Sequence, residues 1–402
     1  MHLLAATAGA IADGSEAVDL GQSPGDIVFL SAADSEIAGL ARAQEGTEGA
    51  RPSLRLANLM HLGHNLSVDL YVDTVVAKAR LVVVRLLGGV NYWPYGVERI
   101  VACCRERDIP LALLPGDDMP DAELAGLCGL GTEPCHRLWQ YCVQGGPANY
   151  RGLLDYAAAL LECDTEWREP RPVLRAGWYW PDDGEVDLAA LRRHWAAGRP
   201  VAALTFYRAL LQADNLAPID ALVTALRRRG LNPLPIFVAS LKDPVSAELV
   251  AGLLADTAPA VVLNCTGFAV SGLSGARRAT PFDGAGCPVL QVVLAGCTEQ
   301  HWRAGPNGLS GREIAMNVAL PEVDGRLLSR VVSFKTEARF DTATESSIVR
   351  YRELPDRIDF TADLAAAWVR LAAAPAAERR VAFVLANYPN RDGRLGNGVG
   401  LD

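Results

Sequence analysis

At 402 residues, with 50% hydrophobic and 21% charged, the chain is long enough for more than one domain and apolar enough to bury sizeable cores. Its net charge of −9 argues against nucleic acid or an anionic membrane as partner, since either calls for a basic face, but it leaves room for a local basic pocket. No stretch reaches about 18 uninterrupted apolar residues, the length a spanning helix needs.

The opening "MHLLAATAGAIADGSEAVDLG" has no basic n-region, and its short apolar run is interrupted by Gly9 and Asp13, so it reads as neither signal nor transit peptide. "DIVFLSAAD" then has the apolar density of a strand, and "DSEIAGLARAQ" has helical spacing behind an Asp or Ser cap. "ARLVVVRLLGG" is a continuous β-branched run closed by Gly88 and Gly89. The helical pattern "GVERIVACCRERD" and a second continuous run, "IPLALLPGDD", follow it. Strand, helix and strand with short connections make a βαβ unit, which predicts a parallel sheet with helices on both faces. This first α/β domain is expected over residues 1–160.

"CDTEWREPRPVLRAGWYWPDDGEVD" is rich in Pro, Trp and charge and reads as a linker or irregular segment, residues 161–195. The alternation then resumes. "RPVAALTFYR", "NPLPIFVAS", "APAVVLNCTGF" and "CPVLQVVLAG" are strand candidates, and "LAPIDALVTALRRRG" and "PVSAELVAGLLAD" are helices between them. They predict a second α/β domain over residues 196–335. Residues 336–402 read as a connecting segment, a helix ("TADLAAAWVRLAAAPAAERR") and a final strand that opens a third unit, which is expected to continue past Asp402. The nine cysteines are odd in number and irregularly spaced, which suggests reduced thiols in a cytoplasm rather than a disulfide framework. Cys128, Cys135 and Cys142 stand seven apart, too far along one helix for two thiolates to share a zinc, and Gly129, Gly131 and Pro134 break any such helix. Cys103 and Cys104 read as helix core.

In open parallel sheets ligands gather at the carboxyl ends of strands, so the loops there are the candidate sites. In "RLLGGVNYWPYG", Arg85 is expected to meet a carboxylate while Tyr92, Trp93 and Tyr95 stack on a flat conjugated ligand; the alternative is that the rings cap the core or a domain interface. His61 and His64, three apart in "MHLGHNLSVDLYVD", would share a helix face and offer a divalent-metal contact, with ordinary surface or core histidines as the commoner explanation. "VVLNCTGFAVSGLSGARRATPFD" ends a strand at Thr266 and Gly267, and its Gly/Ser-rich loop carries Arg277 and Arg278 without a G-x-x-x-x-G-K-[ST] nucleotide loop. "LAGCTEQHW" sets Glu299 and His301 just past a strand as an acid/base pair. The terminal "GNGVG" lacks the G-x-G-x-x-G of a dinucleotide fold.

Several blocks taken together carry a resemblance. "TFYRALLQADNLAPIDALVTALRRRGLNPLPIFVASLKD", "VLNCTGFA", "NVALPEVDGR", "RLLGGVNYWPYG" and "ANYPNRDGRLGNGVGLD" lie in the order found in the large subunits of aerobic cobaltochelatases (the CobN family). That family is related to the magnesium chelatase H subunit, and the chain resembles about its N-terminal third. The resemblance implies insertion of Co²⁺, the substrate metal, into hydrogenobyrinic acid a,c-diamide on the aerobic cobalamin (vitamin B12) pathway. It further implies ATP, with Mg²⁺, hydrolysed by partners: an AAA-type ATPase subunit and its companion. A flat macrocycle with acidic arms must be held, two pyrrolic protons removed and a hydrated cation stripped. Arg85, Tyr92, Trp93, Tyr95, Arg208, Thr266, Gly267, Asn387 and Arg391 are expected as substrate contacts, and Glu299 and His301 as the acid/base groups. With its candidate bases scattered, the 402-residue chain alone is expected to insert no cobalt. A second reading, from another class, is a non-catalytic two-domain α/β ligand-binding module.

Overall fold

A computed structural model of the chain describes residues 4–5, 17–45, 51–272, 277–306 and 308–384. Its first sheet has four strands, β1 (Ile27–Ser31), β2 (Leu54–Asn58), β3 (Leu81–Leu86) and β4 (Leu111–Pro115). They lie in the order β2-β1-β3-β4 and all pairings are parallel. Helices cover both faces, which is why the strands read as continuous apolar runs rather than alternating ones. In chain order the helices are α1 (Asp34–Glu45), α2 (Asn65–Thr74), α3 (Pro94–Glu106), α4 (Ala122–Leu127), α5 (Thr132–Gln144) and α6 (Gly146–Leu160). Phe29, Leu56 and Val83 face α1, α5 and α6, whereas Val28, Val82 and Val84 face α2, α3 and α4. α1 and α6 cross closely: a Cβ on Gly39 would sit 2.3 Å from the Tyr150 ring.

The second sheet has eight strands: β5 (Ala176–Trp180), β6 (Gly184–Val186), β7 (Val201–Tyr207), β8 (Asn232–Val238), β9 (Val261–Asn264), β10 (Val289–Ala295), β11 (Leu327–Asp341) and β12 (Ser346–Glu353). The order is β12-β11-β10-β9-β7-β8-β5-β6. β8, β7, β9, β10 and β11 run parallel, and antiparallel pairings close both margins. Among the helices here are α7 (Arg208–Gln212), α8 (Ala217–Arg228), α9 (Pro244–Thr257), α10 (Glu299–Ala304) and α11 (Pro355–Ala373). The protein is thus an α/β chain with two successive, mostly parallel sheets.

Three local expectations are corrected. The segment read as irregular between 161 and 195 carries β5 and β6, because Tyr179 and Trp180 bury against the edge of the second sheet. The connecting segment expected after residue 335 is the outer part of the β11–β12 hairpin. α11, expected to lead into a further unit, packs Ile358, Ala362 and Ala365 into the second core and is tied to α8 by Arg229, which pairs with Asp359 at 2.8 Å and Asp363 at 2.9 Å. The last described residues, 379–384, join no sheet, and Val381, Phe383 and Val384 are exposed.

The hairpin joins the two sheets. Lys335 pairs with Asp34 at 2.5 Å, Arg339 pairs with Glu45, and Ile348 enters the first core. At the hairpin turn, Ser23 Oγ donates to Glu345 at 2.6 Å, Arg55 pairs with the same carboxylate at 3.0 Å, and Leu56 N–H donates to Thr344 O at 3.3 Å. One element of the second sheet therefore docks along the edge of the first.

Candidate ligand cleft between the sheets

The carboxyl ends of β1, β3 and β4 face those of β7 and β8 across a cleft of about 350 Å³. In the first sheet this is the point where strand order reverses, β1 leading to β2 on one side and β3 lying on the other, the place where parallel sheets open a crevice. Glu36, Arg85, Asp118, Arg175, Tyr207 and Arg208 give the cleft its polar character.

Arg85, next to last in β3, has its side chain almost wholly buried. Its Nε donates to Pro115 O at 3.1 Å, Nη2 donates to Gly116 O at 2.9 Å, and Nη1 pairs with Glu36. Glu36 in turn accepts from Ser31 Oγ at 2.6 Å. Arg85 therefore braces the cleft wall with its charge already met by Glu36, rather than awaiting a ligand carboxylate. Arg175 is likewise neutralised, by Asp118 at 2.7 Å and Asp243 at 2.8 Å.

Arg208 differs. Its guanidinium donates only to backbone carbonyls, Val143 O at 3.0 Å, Leu174 O at 3.2 Å and Val173 O at 3.4 Å, and among the described residues it forms no ion pair. Burial pushes its pKa down, and the neighbouring Arg175 adds to that. A half-buried cation with no carboxylate in direct contact is the feature here that an anionic or amide-bearing ligand group would relieve.

Tyr207, beside it, donates its hydroxyl to Gly267 O at 3.1 Å, which links the cleft to the end of β9. Thr266 is not ligand-facing; it is buried in a polar network. Thr205 and Thr266 both donate to Asn264 Oδ1, at 2.7 and 2.9 Å, while Gln291 Nε2 donates to Thr266 O at 2.9 Å. Arg326 and Asp324 complete the network as a buried pair at 2.9 Å, and Asp324 also accepts from the N–H groups of Val270 and Ser271.

The aromatic loop lies on the other face of the first sheet. Trp93 is buried in the core, its Nε1 donating to Leu62 O at 2.8 Å and its ring flush against Gly96, so no face is free for stacking. Tyr92 reaches Met60 Sδ at 3.3 Å, and Tyr95 donates to Asp69 at 2.9 Å. Of the two interpretations of these rings, core capping is the one the geometry supports. His64 caps α2, its Nδ1 accepting from Leu66 N–H at 3.1 Å. His61 lies on a separate short turn, lining a cavity of about 410 Å³ with Asp34 and Glu337, and burial lowers its pKa. Among the described residues no three His, Cys, Asp or Glu side chains are grouped to hold a metal.

Glu299 opens α10, where Arg303 at 2.7 Å and Arg352 at 3.0 Å hold its carboxyl below the usual range, chiefly through Arg303. His301 is exposed on the same short helix. Asn387 and Arg391 lie outside the described residues. Of the expected contacts, the structure brings Arg85, Arg208 and, through Tyr207, Gly267 together. Glu36, Asp118, Arg175 and Tyr207 escaped sequence reasoning; Tyr207 alone carried a signal, standing at a strand end directly before Arg208.

A family profile described as CobN/Magnesium Chelatase matches residues 139–402. Across its whole length the chain is 46% identical to a protein named aerobic cobaltochelatase subunit CobN from a Sinorhizobium species, covering 32% of that relative. It is 45% identical to the protein of the same name from Pseudomonas aeruginosa, again over 100% of this chain and 32% of the relative. A solved structure, the catalytic subunit of cobaltochelatase from Mycobacterium tuberculosis, superposes with a TM-score of 0.60 at 26% identity, over 93% of this chain and 29% of that one. The chain spans about a third of the length of the curated relatives it matches.

Proposed function

The chain belongs to the CobN/magnesium chelatase family, and on that premise we propose that it forms part of the substrate-holding wall of an ATP-dependent cobaltochelatase. The observation that carries this reading is the 45–46% identity to cobaltochelatase subunits along the whole chain. The proposed substrate is hydrogenobyrinic acid a,c-diamide with Co²⁺ as the inserted metal. ATP hydrolysis falls to an AAA-type subunit and its companion. The two sheet units, the first built on β1–β4 and the second on β5–β12, are proposed as the two sides of the cleft.

A cleft of about 350 Å³ is at the small end of ligand pockets, which run from about 300 to 1,000 Å³. It fits one carboxylate- or amide-bearing arm of a macrocycle, not the ring. Arg208 is the group that would hold such an arm, with Arg85 and Arg175 keeping the wall in place through their own carboxylates. We assign no proton transfer to Glu299: a carboxylate held ionised by two guanidinium groups is a weak base, poorly matched to a pyrrolic N–H.

The test is Arg208→Ala in the full-length subunit, with Arg208→Lys beside it, titrated with hydrogenobyrinic acid a,c-diamide by absorbance. A charge-assisted hydrogen bond is worth about 1.5–3 kcal/mol, so affinity is expected to fall by roughly 10- to 150-fold and to recover partly with lysine. Unchanged affinity in a folded Arg208→Ala subunit would overturn the assignment.

A further inference from the structure

Cys128 and Cys135 are seven apart in sequence, a spacing that along one helix would hold their thiols about 10 Å apart. The fold brings them together. Cys128 is the C-cap of α4, and the chain reverses through Gly129 to Gly131, where Gly131 has φ +87°. Cys135 then falls in the first turn of α5, and its Sγ lies 2.9 Å from Cys128 Sγ. The Cys128 sulfur is also met by Leu113 N–H at 3.2 Å. Two donors aimed at one sulfur favour its thiolate, and they hold the Cys128 pKa below the usual thiol value, the Cys135 thiol contributing most. Burial pushes Cys104, Cys265 and Cys297 the opposite way.

Both sulfurs are half-buried in a cavity of about 220 Å³ lined by Pro115, Pro120, Asp121, Thr132 and His136, roomy enough for a small oxidant. We propose that Cys128 and Cys135 form a peroxide-reactive dithiol, with Cys128 the attacking thiolate and Cys135 the resolving thiol. The Cys128 thiolate displaces hydroxide from the O–O bond and becomes a sulfenic acid, two electrons passing from sulfur to the peroxide. The Cys135 thiol then attacks that sulfur, and its proton leaves with the sulfenic hydroxyl as water. The products are one disulfide and two waters from one hydrogen peroxide and two thiols. Reaching a disulfide length of about 2.05 Å needs the sulfurs to close by less than about 1 Å. The bond would pin the start of α5, whose far end carries Cys142 and Val143 into the ligand cleft.

The experiment exposes the reduced, folded chain to hydrogen peroxide, removes the peroxide, alkylates the remaining thiols in denaturant and digests with trypsin. Residues 108–137 form one tryptic peptide that holds both cysteines. It is expected to lose both alkylation sites and two hydrogens, so that seven of nine cysteines remain alkylatable, and dithiothreitol should restore all nine. In Cys135→Ser, with unchanged circular dichroism, Cys128 is expected to stop at the sulfenic acid and be captured by dimedone. Full alkylation of both residues at a peroxide dose that oxidises the half-exposed Cys163, or a bond from either one to another cysteine, would refute the proposal.

Discussion

Asp324→Ala should unfold the second sheet more readily than any exposed substitution, because it strands a charge. The side chains of Asp324 and Arg326 are 0% and 1% exposed, and the pair is 2.9 Å apart. Without Asp324, the only hydrogen bonds left to the Arg326 guanidinium are those of 3.5 Å to Thr266 O and Gln291 Oε1, beside the Phe282 ring, and its Nε has no partner already. Burial pushes the Arg326 pKa down even with Asp324 present. Removing one partner of a buried pair costs about 3–5 kcal/mol, and the freed N–H groups of Val270 and Ser271 add to it. For a unit of this size, about 4 kcal/mol lowers Tm by roughly 10 °C in calorimetry. Adding Arg326→Met removes the stranded charge, so the double variant is expected to regain at least about 2 kcal/mol. A single variant within about 1 kcal/mol of the parent, or a double variant no better than the single one, would refute the reasoning. Either result would mean that Arg326 finds solvent and that the pair does not hold the 266–271 loop.

Arg277 holds the Asp283 carboxyl down to about 2 from its ordinary 3.8, so the pair stabilises the fold above about pH 4 and the contribution is lost as pH falls from there toward about 2. Between about pH 5 and pH 3 the urea midpoint should drop further for the parent than for Asp283→Asn, and equal drops would count against it. Gly96→Ala puts a Cβ 2.0 Å from the Trp93 ring and should destabilise the first sheet by about 1–3 kcal/mol, seen as a lower midpoint in Trp fluorescence. Glu345→Ala releases Ser23 and Arg55 from the hairpin turn. Amide exchange at Leu54–Asn58 should quicken about tenfold, the factor for roughly 1.4 kcal/mol, and unchanged exchange would show that the hairpin is held elsewhere.

The α/β class, the succession of two sheets and most of the parallel strands were legible in the chain itself. Runs such as "LVVVRL" and "VVLN" carry their environment in their composition: a strand buried on both faces has no polar side to alternate. Kinship was legible too, since it rests on blocks in a fixed order. β5 and β12 were not, because a marginal strand is decided by the edge it finds, and Trp178 or Arg350 alone does not reveal that edge. The cleft was half legible. Arg85 and Arg208 stand at strand ends, where parallel sheets bind ligands, but composition does not say that Glu36 neutralises one while only carbonyls meet the other. Trp93 and Thr266 shared those positions, yet they turned inward, because pleat and helix packing choose which face a loop residue takes. Cys128 and Cys135 make the same point at shorter range. Seven residues keep two thiols apart along a helix, and only a chain reversal through glycines, settled by where α4 and α5 pack, brings them to 2.9 Å.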